Sequence, residues 1–207
     1  ELMLADIDSL ERRMTALIKK TRGGDADAKR DLTMMEKLFA ELSDGVPARS
    51  VVGLSDDETR RLPHMQLLSA KPVLYVCNVA EGDAATGNDH SQAVATYAEK
   101  DGAAHVVVSA AIEAEITQLD ADDKAEYLAE LGLGEAGLER LIRAGYGLLD
   151  LLTFFTAGPK EARAWTVAAG SRAPEAAGVI HTDFQRGFIR AETISFDDYI
   201  ACKGEGG

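Results

Sequence analysis

Two stretches near the start of the sequence repeat apolar residues at alternating spacings of four and three, the pattern of an apolar seam along a helix. The first seam is Met3, Ile7, Leu10, Met14 and Leu17, and the second is Ala28, Leu32, Met35, Phe39 and Leu42. Gly23 and Gly24 are expected to end the first helix, and Asp25 can cap the second. Because each seam is only about three heptads long, the pattern predicts a helical hairpin within one chain rather than a dimerisation rod.

The hydrophobic period changes beyond residue 70, after a connector with one short helix predicted to start after Ser55. Pro72–Val79 and His105–Ser109 are short apolar runs, and a helical stretch follows each of them. This alternation is typical of an α/β domain with a parallel sheet whose strands are buried on both faces. Cys77 is therefore expected to be buried and inert.

The remaining third of the chain changes from helical to β-rich patterns. Helices are predicted near 122–131 and 136–149, strands at 152–156, 162–167 and 188–194, and a short helix at 174–180. A hairpin, a helix and a further strand follow one another in the order of a β-grasp module.

Composition and charge restrict the class of protein. The 207 residues are 46% hydrophobic and 28% charged, which argues against disorder. No apolar run reaches the roughly 18–20 residues that span a bilayer, no secretory signal is visible, and two cysteines suit a reducing compartment. A cytoplasmic protein is expected. Of the net charge of −13, residues 71–148 carry −9, so that part is poorly suited to binding a phosphate backbone.

Polar and small residues follow both predicted strands of the sheet, where ligands bind in open parallel sheets. Asn78 can tie neighbouring loops together through its amide, and Glu81 can reach the edge of a bound base. Ser109, Ala110 and Ala111 leave room for a planar ring. These residues are compatible with a nucleotide site and also with ordinary strand-to-loop turns.

Six segments together resemble one family, the Obg-like ATPases of the YchF subfamily. They are Lys71–Glu81, Val107–Ile116, Arg143–Tyr146, Phe154–Gly170, Ala176–Phe188 and Ile189–Tyr199. The string HTDFQRGFIRAE, which begins at His181, is especially specific. The resemblance implies a partial P-loop NTPase sheet and two further parts. Residues 1–70 would be a coiled-coil insertion with its connector, 71–148 the C-terminal half of the nucleotide-binding domain, and 149–207 a TGS domain of β-grasp fold.

The resemblance also implies an activity and a base site. Family members hydrolyse ATP, and GTP less well, with Mg²⁺, and they associate with the ribosome. Their Asn-x-x-Glu motif, here Asn78, Val79, Ala80 and Glu81, replaces the guanine-reading Asn-Lys-x-Asp. The backbone at Val79 should meet the exocyclic amine of adenine, and Ser109, Ala110 and Ala111 should line the ring.

The sequence departs from the family in one important way, because it contains no G-x-x-x-x-G-K-[ST]. The phosphate loop and the Mg²⁺ ligands are therefore absent from these residues, and the chain is expected to be an inactive fragment with no catalytic residue. The alternative is a non-enzymatic ribosome-, RNA- or protein-binding module with a vestigial nucleotide site. Arg172 and Arg186 are the predicted contacts to ribosomal RNA. A monomer without membrane contact is expected.

Other candidate residues have simpler interpretations. The four histidines lack the spacing of a zinc site, and His181 is expected to make a helix-end hydrogen bond. Asp122 and Asp123 are expected to start a helix. Trp165 is predicted to be a core residue rather than a base-stacking platform, and Arg163, two residues away on the same strand face, would then be kept from the open surface. Cys202 is expected to be an exposed thiol.

Overall fold

The N-terminal hairpin is present in the computed structural model, which describes residues 1–204. Helices α1 (Leu2–Thr21) and α2 (Ala26–Ser43) pack against each other. The turn between them passes through Gly24, whose φ of +85° is a left-handed conformation that glycine adopts readily. Asp25 caps α2, accepting hydrogen bonds of 3.0 Å from the backbone N–H groups of Asp27 and Ala28. The predicted hairpin and its cap are confirmed.

The hairpin core is wider than the predicted seams. Its buried residues are Leu10, Met34, Met35, Leu38, Leu42, Ala48, Met65 and Leu67. Met34 and Leu38 lie off the predicted seam of α2, yet both are almost completely buried. They are buried because residues of the connector join the same cluster, so α2 is covered on a second side.

The connector contains helix α3 (Asp56–Met65), which begins where Ser55 predicts. The hydroxyl of Ser55 accepts a hydrogen bond from the N–H of Glu58, and the carboxylate of Glu58 accepts one of 2.7 Å from the N–H of Ser55. These reciprocal bonds form a capping box. The bond from the Ser55 backbone lowers the pKa of Glu58.

One buried carboxylate fastens α1 to the end of the connector. Asp6 is only 3% exposed and accepts hydrogen bonds from the backbone N–H of Leu68 (2.8 Å) and of Ser69 (2.7 Å). It also accepts one from the hydroxyl of Ser69, at 2.6 Å. Leu68 and Ser69 belong to a 3-10 turn, Leu68–Ala70, so Asp6 satisfies donors that a turn of this length leaves open.

The α/β part begins with strand β1 (Leu74–Asn78), helix α4 (Asp89–Asp101) and strand β2 (Ala104–Val108). The two strands are hydrogen-bonded neighbours in a two-stranded sheet. The predicted burial on both faces is wrong, since Val76 is 48% exposed, and Cys77 is half-buried rather than buried. Residues of both strands are mostly half-buried or exposed, because the faces of a sheet are buried only where other layers cover them.

A second polar cluster joins α4 to β1 and to the connector. The guanidinium of Arg49 donates a hydrogen bond of 2.6 Å to the carboxylate of Asp101 and one of 3.3 Å to the carbonyl of Ser69. The hydroxyl of Tyr75 donates to the same Asp101 carboxylate at 3.0 Å. The bond from Arg49 lowers the pKa of Asp101, and burial together with Asp101 raises the pKa of Tyr75.

The chain divides into two compact units, residues 1–77 with 88–105 and residues 78–87 with those from 106 onward. In the second unit, helices α5 (Ala110–Ile116), α6 (Ala121–Glu130) and α7 (Gly137–Leu148) follow β2. Their core consists of Ala84, Ile112, Ile116, Leu128, Leu133 and Ala136.

Asp120 caps α6, so Asp122 and Asp123 start this helix as predicted. The predicted domain boundaries after residues 70 and 148 stay predictions.

The C-terminal part contains strands β3 (Leu151–Ala157) and β4 (Ala162–Ala168), paired antiparallel with Thr153 opposite Thr166. Helices α8 (Ala173–Ile180), α9 (Thr182–Arg186) and α10 (Phe196–Ala201) follow. His181 caps α9, accepting a hydrogen bond from the N–H of Asp183, and this confirms its predicted role. The predicted strand at 188–194 is wrong. A strand requires a ladder partner, and this segment pairs with neither β3 nor β4. Residues 205–207 of the predicted TGS part lie outside the described residues.

Arg163 and Trp165 share a face of β4, but the expected consequence for Arg163 is wrong. Trp165 is half-buried and donates a hydrogen bond of 2.9 Å to Thr156, while Arg163 is exposed. The guanidinium of Arg163 lies 4.2 Å from the centroid of the Trp165 ring. A cation of this kind can cover an aromatic face and remain in water.

None of the helices within residues 1–204 is long and apolar enough to cross a bilayer.

Candidate nucleotide-base site

The candidate site lies at the ends of β1 and β2, within the second unit. Loop 78–81 begins with Asn78, the last residue of β1. The segment called loop 109–111 follows Val108, the last residue of β2, and consists of Ser109, the N-cap of α5, and the first two residues of that helix. The backbone N–H of Val79 donates a hydrogen bond of 2.9 Å to the carbonyl of Val108. The two loops therefore start side by side.

Asn78 joins the two loops through its side chain. Its amide oxygen Oδ1 accepts a hydrogen bond of 2.9 Å from the backbone N–H of Ala110, 32 residues further along the chain. This is the loop-tying contact that the sequence predicts for an asparagine leaving a strand. The role of Asn78 in binding a base stays a prediction.

Loop 109–111 presents a small, open surface next to a buried hydroxyl. Ser109 is 2% exposed, and its Oγ has no hydrogen-bond partner among the described residues. Ala110 and Ala111 are exposed. Two exposed methyl side chains allow a flat ring to approach the backbone closely, as the sequence predicts for this loop.

Acidic groups surround the other loop. Glu81 is exposed at the start of a 3-10 turn, Glu81–Asp83. Tyr127 on α6 donates a hydrogen bond to the carboxylate of Glu115 on α5. This bond raises the pKa of Tyr127 to about 12, and the negative charge of Glu81 contributes to the shift. The local negative potential suits the amino groups of a base better than a phosphate.

Comparison with known proteins finds relatives along the whole chain. The chain is 51% identical over 207 residues to the ribosome-binding ATPase YchF of Pasteurella multocida and 43% identical over 209 residues to that of Bacillus subtilis; both alignments cover 100% of the chain. The structure of the Schizosaccharomyces pombe YchF GTPase matches 100% of the chain with a TM-score of 0.84 and 30% sequence identity. Over its whole length the chain is homologous to YchF proteins.

The match to YchF proteins covers only part of their length. The chain spans 56% of the P. multocida protein, 57% of the B. subtilis protein and 56% of the S. pombe structure. A YchF-GTPase_C family model, described as a protein of unknown function (DUF933), matches residues 151–207. The structural match confirms the predicted α/β fold with its helical hairpin.

No phosphate-binding loop accompanies loops 78–81 and 109–111 in this sequence. The 207 residues contain no G-x-x-x-x-G-K-[ST], the loop that binds phosphates in P-loop enzymes. Among residues 1–204 there is also no group of three or more His, Cys, Asp or Glu side chains that could hold a metal ion. The residues present therefore do not fit Mg²⁺, and no catalytic step through the metal can be assigned to them.

The two arginines predicted to bind RNA are placed at helix ends. Arg172 precedes α8 and Arg186 ends α9; both are exposed, and neither forms an ion pair within the described part of the chain. By contrast, the nearby Arg190 lies 3.9 Å from the carboxylate of Glu192. Arg172 and Arg186 are therefore free to bind phosphates, although contact with RNA stays a prediction.

One contact beside loops 78–81 and 109–111 is not predictable from the sequence. The carboxylate of Glu113 on α5 accepts a hydrogen bond of 2.6 Å from the backbone N–H of Gly137, the first residue of α7. A glutamate in the first turn of a helix is ordinarily a solvent-exposed residue that interacts with its own helix. The partners are 24 positions apart in the sequence, a separation that gives no periodic signal, so no pattern in the sequence reveals this bond.

Proposed function

We propose that loops 78–81 and 109–111 form the base-recognition side of an ATP pocket in a longer YchF protein. That protein would hydrolyse ATP, and GTP less well, in the cytoplasm and would associate with the ribosome. The hydrogen bond between Asn78 and Ala110 is the observation that carries this proposal. It holds the two loops together at the strand ends, where nucleotide-binding sheets place their ligands.

The chemistry of loop 78–81 favours adenine. The N–H of Val79 is already bonded to Val108, so the backbone group of Val79 that would meet an exocyclic amine is its carbonyl. Guanine presents a carbonyl oxygen where adenine presents an amine, and two carbonyl oxygens repel each other. No lysine follows Asn78 to cover the ring, and Glu81 stands where guanine readers have aspartate.

The phosphates and Mg²⁺ would be held by residues outside this chain. These 207 residues then supply base recognition and partner binding, and they move no proton and hold no reacting atom. The relatives' greater length is consistent with such a division.

ATP is expected to bind the full-length protein at least as tightly as GTP. The double variant Val79→Lys with Glu81→Asp should shift this preference toward GTP by about tenfold, because good base-edge contacts contribute roughly 1–3 kcal/mol of discrimination. Titration calorimetry with both nucleotides measures the ratio of the two dissociation constants. Glu36→Asp, on the exposed side of α2, is the matched control and should leave this ratio unchanged.

Either of two results would contradict the assignment. One is a GTP affinity tenfold above that for ATP in the unaltered protein. The other is a double variant with unchanged preference. If neither nucleotide binds, the non-enzymatic binding module becomes the better description of the protein.

Ribosome binding is expected to depend on Arg172 and Arg186. The logarithm of the binding constant falls linearly with the logarithm of the salt concentration, and the steepness of this line is the salt slope. Replacing both arginines with alanine should make the slope shallower by about two units, since each lost phosphate contact removes roughly one. Co-sedimentation of the full-length protein with ribosomes at several salt concentrations gives this slope. A control variant, Lys71→Ala with Lys100→Ala, removes two exposed cations elsewhere and should change the slope little. Equal slopes for wild type and the arginine variant would shift attention to the hairpin tip, where Lys19, Lys20 and Arg22 lie.

A further inference from the structure

Helix α7 begins without a cap from its own sequence. Its N-cap residue, Ala136, has no side chain that can accept a hydrogen bond. The carboxylate of Glu113 on α5 supplies the missing acceptor by binding the N–H of Gly137 at 2.6 Å. A charged acceptor at the first turn of a helix satisfies an open donor and interacts favourably with the helix dipole.

The same contact places α7 directly against loop 109–111. A Cβ atom added to Gly137 would lie 2.9 Å from the carboxylate of Glu113 and 3.2 Å from Cβ of Val108, so a larger residue there would displace both side chains. Val108 accepts the bond from Val79, and the N–H of Glu113 donates to the carbonyl of Ser109 at 3.0 Å. The start of α7 therefore touches the residues on both sides of loop 109–111.

The other end of α7 is fastened to the C-terminal hairpin. The hydroxyls of Tyr146 and Thr166 are 3.1 Å apart, and hydrogen bonds from Thr153 and Thr166 lower the pKa of Tyr146. Only two residues separate α7 from β3, and the second, Asp150, has a left-handed φ of +51°. Its carbonyl accepts a 2.7 Å bond from Ala169, which closes the end of the hairpin.

Helix α7 is intrinsically weak between these two attachments. Gly145 and Gly147 lie in its last turns, and a Cβ added at either would meet open space. Each glycine costs a helix roughly 0.5–1 kcal/mol relative to alanine, and no packing gain compensates for this. The contacts at its two ends therefore contribute to the order of α7.

We infer that Glu113 is a positioning residue that couples the base loops to the β3–β4 hairpin through α7. A nucleotide bound against the first turn of α5 restrains Ser109 and Glu113, and Glu113 then caps α7 more persistently. The strengthened helix holds the hairpin through Tyr146. This inference rests on the proposed function, because it requires a nucleotide at loops 78–81 and 109–111.

Hydrogen exchange of the full-length protein, with and without ATP, tests the coupling. ATP is expected to slow amide exchange about tenfold, within the usual range of coupling between sites, both in residues 137–148 and in residues 151–168. Glu113→Ala should abolish this effect in both segments, and Gly137→Ala should do the same by separating α7 from Val108. Glu113→Gln keeps an acceptor and should retain most of the protection. The matched control is Glu139→Ala, which removes a carboxylate of α7 that pairs with Lys124 and should leave the protection intact.

The outcomes separate this inference from the proposed function. Calorimetry on the same samples shows whether ATP binds; without binding, the proposed function and the coupling both fail. Binding with no slower exchange in residues 137–168 of the wild type overturns the coupling alone. Protection that persists in Glu113→Ala also overturns it. If Glu113→Ala does not fold, Gly137→Ala and the wild-type comparison still decide the result.

Discussion

Replacing Asp6 with alanine is expected to lower the free energy of unfolding by about 3–5 kcal/mol. The substitution leaves three donors without an acceptor: the N–H groups of Leu68 and Ser69 and the hydroxyl of Ser69. Each buried donor left unpaired costs roughly 1–3 kcal/mol. Asp6→Asn keeps one carbonyl oxygen but turns an amino group toward donors, so it should cost roughly half as much as Asp6→Ala.

Guanidinium chloride unfolding followed by far-UV circular dichroism measures this loss. Asp8→Ala is the matched control, because Asp8 lies on the same helix with an exposed side chain, and it should change stability by no more than about 0.5 kcal/mol. A loss below about 1 kcal/mol for Asp6→Ala would mean that water or a shifted turn replaces the carboxylate.

The contacts of Asp6 belong to a longer network of polar side chains in the first unit. Ser69 is bonded both to Asp6 and, through its carbonyl, to Arg49, which continues to Asp101 and Tyr75. Helix α1, the connector, α4 and β1 are thereby joined by charged or polar groups. Buried networks of this kind specify one arrangement of the elements because a partly satisfied network is costly.

The purified 207-residue chain is expected to release no phosphate from ATP or GTP. Positioning of the phosphates and neutralisation of their charge by a metal ion supply most of the catalysis in P-loop enzymes. The sequence has no phosphate loop, and residues 1–204 present no metal-binding cluster. A colorimetric assay of inorganic phosphate in the presence of Mg²⁺ checks this expectation.

Two controls make the result informative. The full-length protein, assayed in parallel, should release phosphate, and a boiled sample of the chain sets the background. Mg²⁺-dependent release by the chain above that background would require a catalytic site that uses none of the P-loop chemistry.

Local signals predicted the helices well. Asp25 and Ser55 each cap the helix that they were expected to start, and Asp122 and Asp123 lie in the first turn of α6. Such caps depend on side-chain to backbone bonds within three or four residues, so the sequence contains all the partners. The Asn78 contact was also predictable, because an asparagine leaving a strand has only the neighbouring loops within reach.

Signals that depend on distant neighbours were misread. The apolar run around Val76 predicted burial on both faces, but burial depends on the layers that cover a sheet, and the run itself does not show them. The segment 188–194 has the composition of a strand and lacks a ladder partner among the described residues. Arg163 was predicted to be kept from the surface because its neighbour Trp165 was expected in the core. It is exposed because its guanidinium lies over the Trp165 ring, and the sequence does not reveal this side-chain arrangement.

The sequence by itself determined the helical hairpin, the position of the strands that end in loops 78–81 and 109–111, and the resemblance to YchF proteins. These features follow from spacing and from residues close together in the chain. Only the tertiary structure decided the burial of Met34 and Leu38, the role of Asp6 and the bond between Glu113 and Gly137. Each of these depends on which distant segment packs alongside, and that is set by the summed packing of the whole unit rather than by any local pattern.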